Sequence, residues 1–380
     1  MNYSIEIGKI IEGALKGDSV KIQNYTKLLI DKLLVDGEEK TAQKFSKLLA
    51  GVESNTLSPS GLSSFSNTIP VDNESRIALA DILLPAENMN TAILSEKNQK
   101  ELEEFVLNYK TADKLNELGI GVSNTLLLYG PPGCGKTKSA QWIAKQLGLP
   151  LITARLDSLI SSYLGTTAKN IRILFEYAQR MPCVLLLDEF DAIAKARDDA
   201  NELGELKRIV NSLLQNIDAM SKDSLLIAAT NHSDLLDRAV WRRFDYKIEV
   251  KYPDIQNISR LLDLFINKKF DLSIKNKELL SYAFQGCSGA TIEEIVKKSI
   301  RECVVNNKEF SVRNVYAELF AFKGFPDEQS NKKAYQKEVI NYLYKEIGKP
   351  FSYDAIAEIL NISKSQIKPL MNCNGGSENE

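Results

Sequence analysis

The eight residues Gly130, Pro131, Pro132, Gly133, Cys134, Gly135, Lys136 and Thr137 have the types and spacing of a phosphate cradle. Glycines let a backbone curl until successive N–H groups point at one anion. Lys136 brings a positive charge to the β- and γ-phosphate oxygens, and the Thr137 hydroxyl is a ligand type for Mg2+. The flanks agree. Thr125 to Tyr129 (TLLLY) reads as a strand and Lys138 to Leu147 as a helix. Strand, glycine-rich loop and helix in that order is the context such a loop requires. The helix that starts here also turns the positive end of its dipole toward the anion. Gly130 to Thr137, with Lys138 behind them, are therefore the expected binding residues for a nucleoside triphosphate.

A second pair of side chains turns binding into hydrolysis. Val184-Leu-Leu-Leu-Asp188-Glu189 is an apolar strand ending in two acids. Asp188 at the strand tip is placed to hold Mg2+, directly or through water, and Glu189 to polarise an attacking water. A loose phosphoryl-transfer transition state needs positioning and charge neutralisation more than covalent help, so one metal and one base suffice. Acids at strand ends are common; the phosphate loop in the same chain gives this pair its meaning.

The rest of the chain must position these groups. From Leu126 onward, strands and helices alternate, which predicts an α/β fold: a parallel sheet with helices on both faces. The expected strands are Leu126–Tyr129, Leu151–Arg155, Val184–Asp188, Leu225–Thr230 and Lys247–Val250. Before the sheet, residues 1–50 read as helices: Ile5 to Leu15, a run capped at Asp18-Ser19 with Tyr25, Leu29 and Leu33 at helical spacing, and another with Ala42, Phe45 and Leu49. They form either an adaptor that recruits a partner or a plain helical cap. Residues 51–73, rich in Ser, Asn and Gly, read as a flexible linker. Glu74 to Gly119 reads as amphipathic helix, with Leu102, Phe105, Val106 and Tyr109 on one face. The large nucleotide-binding part is expected over 74–253.

Composition sets outer limits. The chain has 380 residues, 48 basic and 50 acidic, for a net charge of −2. That excludes wholesale attraction to nucleic acid or anionic lipid and leaves a local patch open. No apolar run approaches the ~20 residues that span a bilayer. MNYSIEIGKI lacks the basic start and long apolar core of a signal peptide. Five cysteines without a CxxC pair fit a reducing, cytoplasmic setting. A single histidine, His232, with no HEXXH motif, makes a Cys/His zinc site or a zinc protease improbable.

GPPGCGKT, LLLDEF, AATN (Ala228 to Asn231) and LDRAVWRRFD (Leu236 to Asp245) occur in this order and together resemble the AAA ATPases, over roughly Ala92 to Phe322. The resemblance implies ATP and Mg2+ as ligands and a helical lid after the sheet, over 254–322. Asn231 matches the sensor-1 residue that bonds the attacking water or the γ-phosphate. Arg242 and Arg243 match the arginine fingers that reach a neighbouring subunit's γ-phosphate, which requires a ring, most often a hexamer. The RRFD form lacks a Pro-Gly insertion common among relatives and looks like the meiotic-clade form, with Arg242 expected as the primary finger. Tyr163 and Leu164 stand where the family places its first pore loop, a grip on an extended polypeptide; a Tyr-Leu before Gly is also an ordinary helix end. Gly289 and Ala290, in Gly286-Cys-Ser-Gly-Ala290, match the lid segment that backs the nucleotide, with no sensor-2 arginine. Cys134 replaces the family's usual Thr or Ser, either as a redox-sensitive thiol or as a small side chain that fits.

The implied function is an oligomeric remodeller of protein substrates, serving a separate protease or effector, with no membrane part. Residues 330–380 raise an alternative. Ala357 to Ile367 is similar to a helix-turn-helix, turning at Asn361, with Lys364, Gln366 and Lys368 on its second helix. Such a unit either reads DNA or packs and docks.

Overall fold

The wholly apolar runs become the middle of a sheet, because a strand covered on both faces has no position for a polar side chain. The computed structural model describes residues 3–16, 19–53, 69–72, 76–84, 92–159, 166–192, 203–221, 223–236, 238–267, 270 and 272–372. They divide into two units, one comprising residues 1–92, 98–130 and 136–249, the other 93–97, 131–135 and 250–380.

In the first unit six strands, β1 (Ala80–Leu83), β2 (Thr125–Tyr129), β3 (Leu151–Ala154), β4 (Val184–Leu187), β5 (Leu225–Thr230) and β6 (Tyr246–Glu249), lie in the order β1-β3-β4-β5-β2-β6. All neighbours are parallel except β1 and β3. Every residue of β4 and β5 is buried. Each fully buried leucine there contributes about 1.5–3 kcal/mol of transfer free energy. The expected α/β class and the five parallel strands are present. One element corrects the sequence reading: Ala80–Leu83 lies in the stretch read as amphipathic helix, yet forms the antiparallel edge strand, paired Ala80 to Ala154 through Leu83 to Leu151. Its four residues run buried, exposed, intermediate, exposed, an alternation too short to stand out from helical spacing.

The N-terminal helices α1 (Ser4–Lys16), α2 (Ser19–Val35) and α3 (Glu39–Glu53) pack around Leu29, Ile30, Leu33 and Ala42. Gly37 makes the turn between α2 and α3 at φ +79°, a conformation that costs a side-chain-bearing residue about 1–2 kcal/mol. The three helices also hold to the sheet part of the same unit. Lys9 Nζ lies 2.6 Å from Asp223 Oδ2, just ahead of β5. Helix α4 (Glu96–Lys110) supplies the rest of that wall: the Tyr109 hydroxyl donates to the Asp223 carbonyl at 2.5 Å, and Phe105 meets Tyr246 of β6 edge-on at 5.2 Å. The apolar face of α4 thus covers the β6 side of the sheet.

In the second unit, the helices Ile255–Leu262, Ile274–Ala283, Gly289–Val305 and Val312–Phe322 share one hydrophobic core with Lys332–Ile340, Tyr353–Leu360 and Lys364–Asn372. Phe320 is its centre, with Phe325 stacked at 5.5 Å and Tyr335 and Tyr342 edge-on at 6.1 and 6.4 Å. The Tyr342 hydroxyl donates to the Ala283 carbonyl at 2.9 Å. Asn361 turns the chain between the last two helices at φ +52°, where the sequence suggests a turn.

Candidate active site

The phosphate loop is built from backbone angles that only glycine adopts without strain. Gly130, Gly133 and Gly135 have φ of +134°, +72° and +105°. The helix Lys136–Leu147 begins within the loop's last two residues, so the positive end of its dipole lies at the cradle. Lys136 is buried, and its Nζ donates to the Gly130 carbonyl at 2.7 Å. Lys138 stands half-buried in the first turn. Cys134 is buried, with Sγ 3.7 Å from the Pro132 carbonyl.

Within the second unit, residues 131–135 lie against the start of the helix Gly289–Val305. Ala290 N–H donates to the Gly133 carbonyl at 3.0 Å. A Cβ on Gly133 would stand 2.6 Å from Ser288 Oγ and 2.9 Å from the Ala290 Cβ, and one on Gly289 would stand 3.5 Å from the Gly133 carbonyl. Ser288 caps that helix by accepting from Thr291 N–H. The Ser-Gly-Ala segment therefore touches the loop's own backbone.

Within the first unit, Thr137 Oγ1 donates to Asp188 Oδ2 at 2.7 Å. Two oxygens of the types that bind Mg2+ are thus side by side, one in the first turn of the helix Lys136–Leu147 and one just past β4. Glu189 follows, exposed, at φ +53°. A non-glycine residue in the left-handed region costs about 1–3 kcal/mol and tends to mark functional sites. Its N–H donates to Asp188 Oδ1 at 3.0 Å, and the next N–H, of Phe190, donates to the Ala229 carbonyl at 2.8 Å. Asn231 stands directly beyond the last residue of β5, half-buried.

The two arginines differ. Arg243 Nε lies 2.6 Å from Asp218 Oδ1, though without hydrogen-bond alignment. Arg242 is exposed, with no ion-pair partner among the described residues. Their turn is fastened below. Thr125 Oγ1 donates to the Arg243 carbonyl at 3.0 Å and accepts from Asp245 N–H at 2.9 Å. Phe244 is buried and meets Phe190 edge-on at 6.0 Å. Tyr163 and Leu164 lie outside the described residues. Sequence reasoning missed the fastening residues Thr125 and Asp218. Each is an ordinary polar residue in sequence, and neither belongs to a spaced motif.

These groups fit a magnesium-bound nucleoside triphosphate. The cradle has room only where side chains are absent, one lysine lies buried in it, and Thr137 and Asp188 would hold the metal. Bound there, Mg2+ would neutralise phosphate charge. Strand, glycine loop and helix on a parallel sheet, with Thr137 bonded to Asp188, are the arrangement of a P-loop nucleoside triphosphatase.

Comparison with known proteins narrows the class. The profile of the family described as "ATPase family associated with various cellular activities (AAA)" matches residues 126–252. An AAA family ATPase of Sinorhizobium fredii, y4kL, is 43% identical over 228 residues, covering 59% of this chain and 68% of that protein. The ATP-dependent zinc metalloprotease FtsH of Parabacteroides distasonis is 32% identical over 248 residues, 63% of this chain and 35% of the relative. The human ATP-dependent zinc metalloprotease YME1L1 is 32% identical over 220 residues, 56% of this chain and 28% of the relative. The chain thus spans about a third of the length of these two metalloproteases. The chain belongs to the AAA family of ATPases. It is an ATP-hydrolysing enzyme that uses ATP with Mg2+. No helix among the described residues is long and apolar enough to cross a membrane.

Proposed function

We propose that this chain is an ATP-driven remodeller of protein substrates that works as a ring, most often a hexamer, in the cytoplasm. The observation that carries the ring is Arg242. It is exposed, without an ion-pair partner among the described residues, and it stands on a turn fastened by Thr125 and by the buried Phe244. A guanidinium fork suits the spread charge of a phosphoryl-transfer transition state, and such fingers are worth about 10³–10⁵ in rate. Arg242 is assigned to the neighbouring subunit's γ-phosphate and Arg243, paired with Asp218, to support. Glu189 polarises the attacking water, Asn231 bonds that water or the γ-phosphate, and Lys136 neutralises phosphate charge. Gly289 and Ala290 back the loop as part of the lid.

Protein remodelling follows from the expected pore loop, Tyr163 and Leu164, and from relatives named as ATP-dependent proteases. In this reading the remodeller serves a separate protease or effector. The DNA-binding alternative gains no support. Of the three candidate base-reading residues, Lys364 is paired with Asp354 at 2.8 Å, and the Gln366 amide oxygen accepts from Ser363 N–H at 3.0 Å, capping its own helix. The test is ATPase turnover with an unfolded polypeptide. Stimulation in the wild type that disappears in Tyr163→Ala is expected; stimulation by DNA with a steep salt dependence, and none by polypeptide, would reject the reading.

A further inference from the structure

Asn231 and Glu189 stand just beyond the ends of β5 and β4, and a buried side-chain hydroxyl links the two turns. Thr230, the last residue of β5, is 1% exposed, and Asp191, two residues beyond Glu189, is 6% exposed. Thr230 Oγ1 donates to Asp191 Oδ1 at 3.2 Å and accepts from His232 N–H at 3.0 Å. The second bond spans Asn231: both of its sequence neighbours meet at one oxygen, so the turn that carries it is closed by the Thr230 side chain. The first bond reaches the turn that carries Glu189. That turn is closed on its own side by Ala192 N–H donating to the Glu189 carbonyl at 2.8 Å, and tied back to β5 by Phe190 N–H donating to the Ala229 carbonyl at 2.8 Å.

We infer that Thr230, through Asp191, is the positioning residue that sets the separation of Glu189 from Asn231. Neither residue touches nucleotide in this role. Burial gives the hydroxyl its leverage. A buried hydroxyl or carboxylate that loses its partner carries a desolvation penalty, so Thr230 and Asp191 stay together, and the two strand tips with them. Glu189 needs such support because its left-handed backbone persists only where its surroundings fix it. A valine has the same shape as threonine and packs in the same space, but it can neither donate to Asp191 nor accept from His232. The inference rests on the assignment of Glu189 and Asn231 to the attacking water.

The experiment compares Thr230→Val, Thr230→Ser, Asp191→Asn and the Thr230→Val/Asp191→Asn double variant in the full chain. Steady-state ATPase, affinity for a fluorescent ADP analogue and thermal melting are measured together. Thr230→Val is expected to lower kcat by about 10–100-fold, the scale of a small misplacement of reacting groups, with KM and ADP affinity within about 3-fold of wild type. Thr230→Ser, which keeps the hydroxyl, is expected to retain kcat within about 3-fold. The double variant is expected to fall no lower than the weaker single one, as for two groups acting as a unit. A Thr230→Val enzyme with at least half the wild-type kcat overturns the inference. So does a Thr230→Ser enzyme as slow as Thr230→Val, or a loss of kcat that comes only with a matching loss of ADP binding and melting temperature. Glu189→Gln is run beside them: turnover retained there rejects the assignment of Glu189 and the inference with it, whereas an inactive Glu189→Gln beside a Thr230→Val enzyme near wild type rejects the inference alone.

Discussion

Gly133 is constrained twice. Its φ of +72° disfavours any side chain, and its Cβ position is already taken by Ser288 Oγ and the Ala290 Cβ at 2.6 and 2.9 Å. Those neighbours open a capped helix and have little room to yield. Gly133→Ala is therefore expected to weaken ATP binding about 5- to 150-fold, since strain of about 1–3 kcal/mol falls on the cradle itself; titration with a fluorescent ATP analogue checks this, and unchanged affinity would show that the segment Ser288–Ala290 yields freely. At this scale the sequence was most legible where chemistry dictates residue type. The glycines, Lys136 and Thr137 stand out by type and spacing, and the acids at 188 and 189 take their meaning from that loop, because a phosphate and magnesium site leaves few substitutes. Thr230 and Asp191 could not be read that way. A hydroxyl that joins two strand tips has no signature until the strands are side by side.

Among the elements, the N-terminal helices show what pattern cannot supply. Helical spacing predicts α1 to α3 well, because Tyr25, Leu29 and Leu33 recur on one face. It does not say what a charged residue on α1 will meet. In the fold Lys9 reaches Asp223, 214 positions away in the sequence and at the start of β5. Burial pulls the Lys9 ammonium down, but Asp223 and Glu12 together outweigh it, so its pKa ends above the usual lysine value. A raised lysine contributes stability that is fully present below its unfolded pKa of about 10.4 and is lost as pH rises through the folded value. The Lys9–Asp223 contribution is therefore flat across neutral pH and fades only in strong alkali. Lys9→Glu is expected to cost about 1 kcal/mol, lowering the melting temperature by about 2–4 °C, with recovery in Lys9→Glu/Asp223→Lys. A melting curve unchanged by Lys9→Glu at pH 7 would mean that the pair does not hold the helices. The edge strand β1 was illegible for a different reason: four residues next to a helix-like stretch give too little alternation to separate period 2 from 3.6.

For the whole molecule, the parallel sheet follows from the sequence because wholly apolar strands must be covered on both faces. The contribution of the C-terminal segment does not. Its helices share a core with those of residues 255–322, where Phe320, Tyr335, Tyr342 and Phe325 meet. Removing residues 332–380 would expose that aromatic centre, and the loss of one buried aromatic alone costs about 3–5 kcal/mol. The truncated chain is expected to be insoluble or to lose the cooperative melting of the lid in calorimetry; a truncation that melts like the full chain would show that the segment is dispensable to that core. The same sharing explains why the segment's polar residues are spent on caps and ion pairs.

The central claim is that each active site is completed by a neighbour's arginine. Arg242→Ala lacks the finger but keeps Glu189; Glu189→Gln lacks the base but keeps the finger. Each alone is expected to be inactive. Mixed in equal amounts and allowed to assemble with ATP, they should recover about one quarter of wild-type turnover, the random chance that an Arg242→Ala subunit with its own Glu189 receives a finger from a Glu189→Gln neighbour across a head-to-tail interface. No recovery above the sum of the separate variants, or full activity in Arg242→Ala alone, would contradict the shared site.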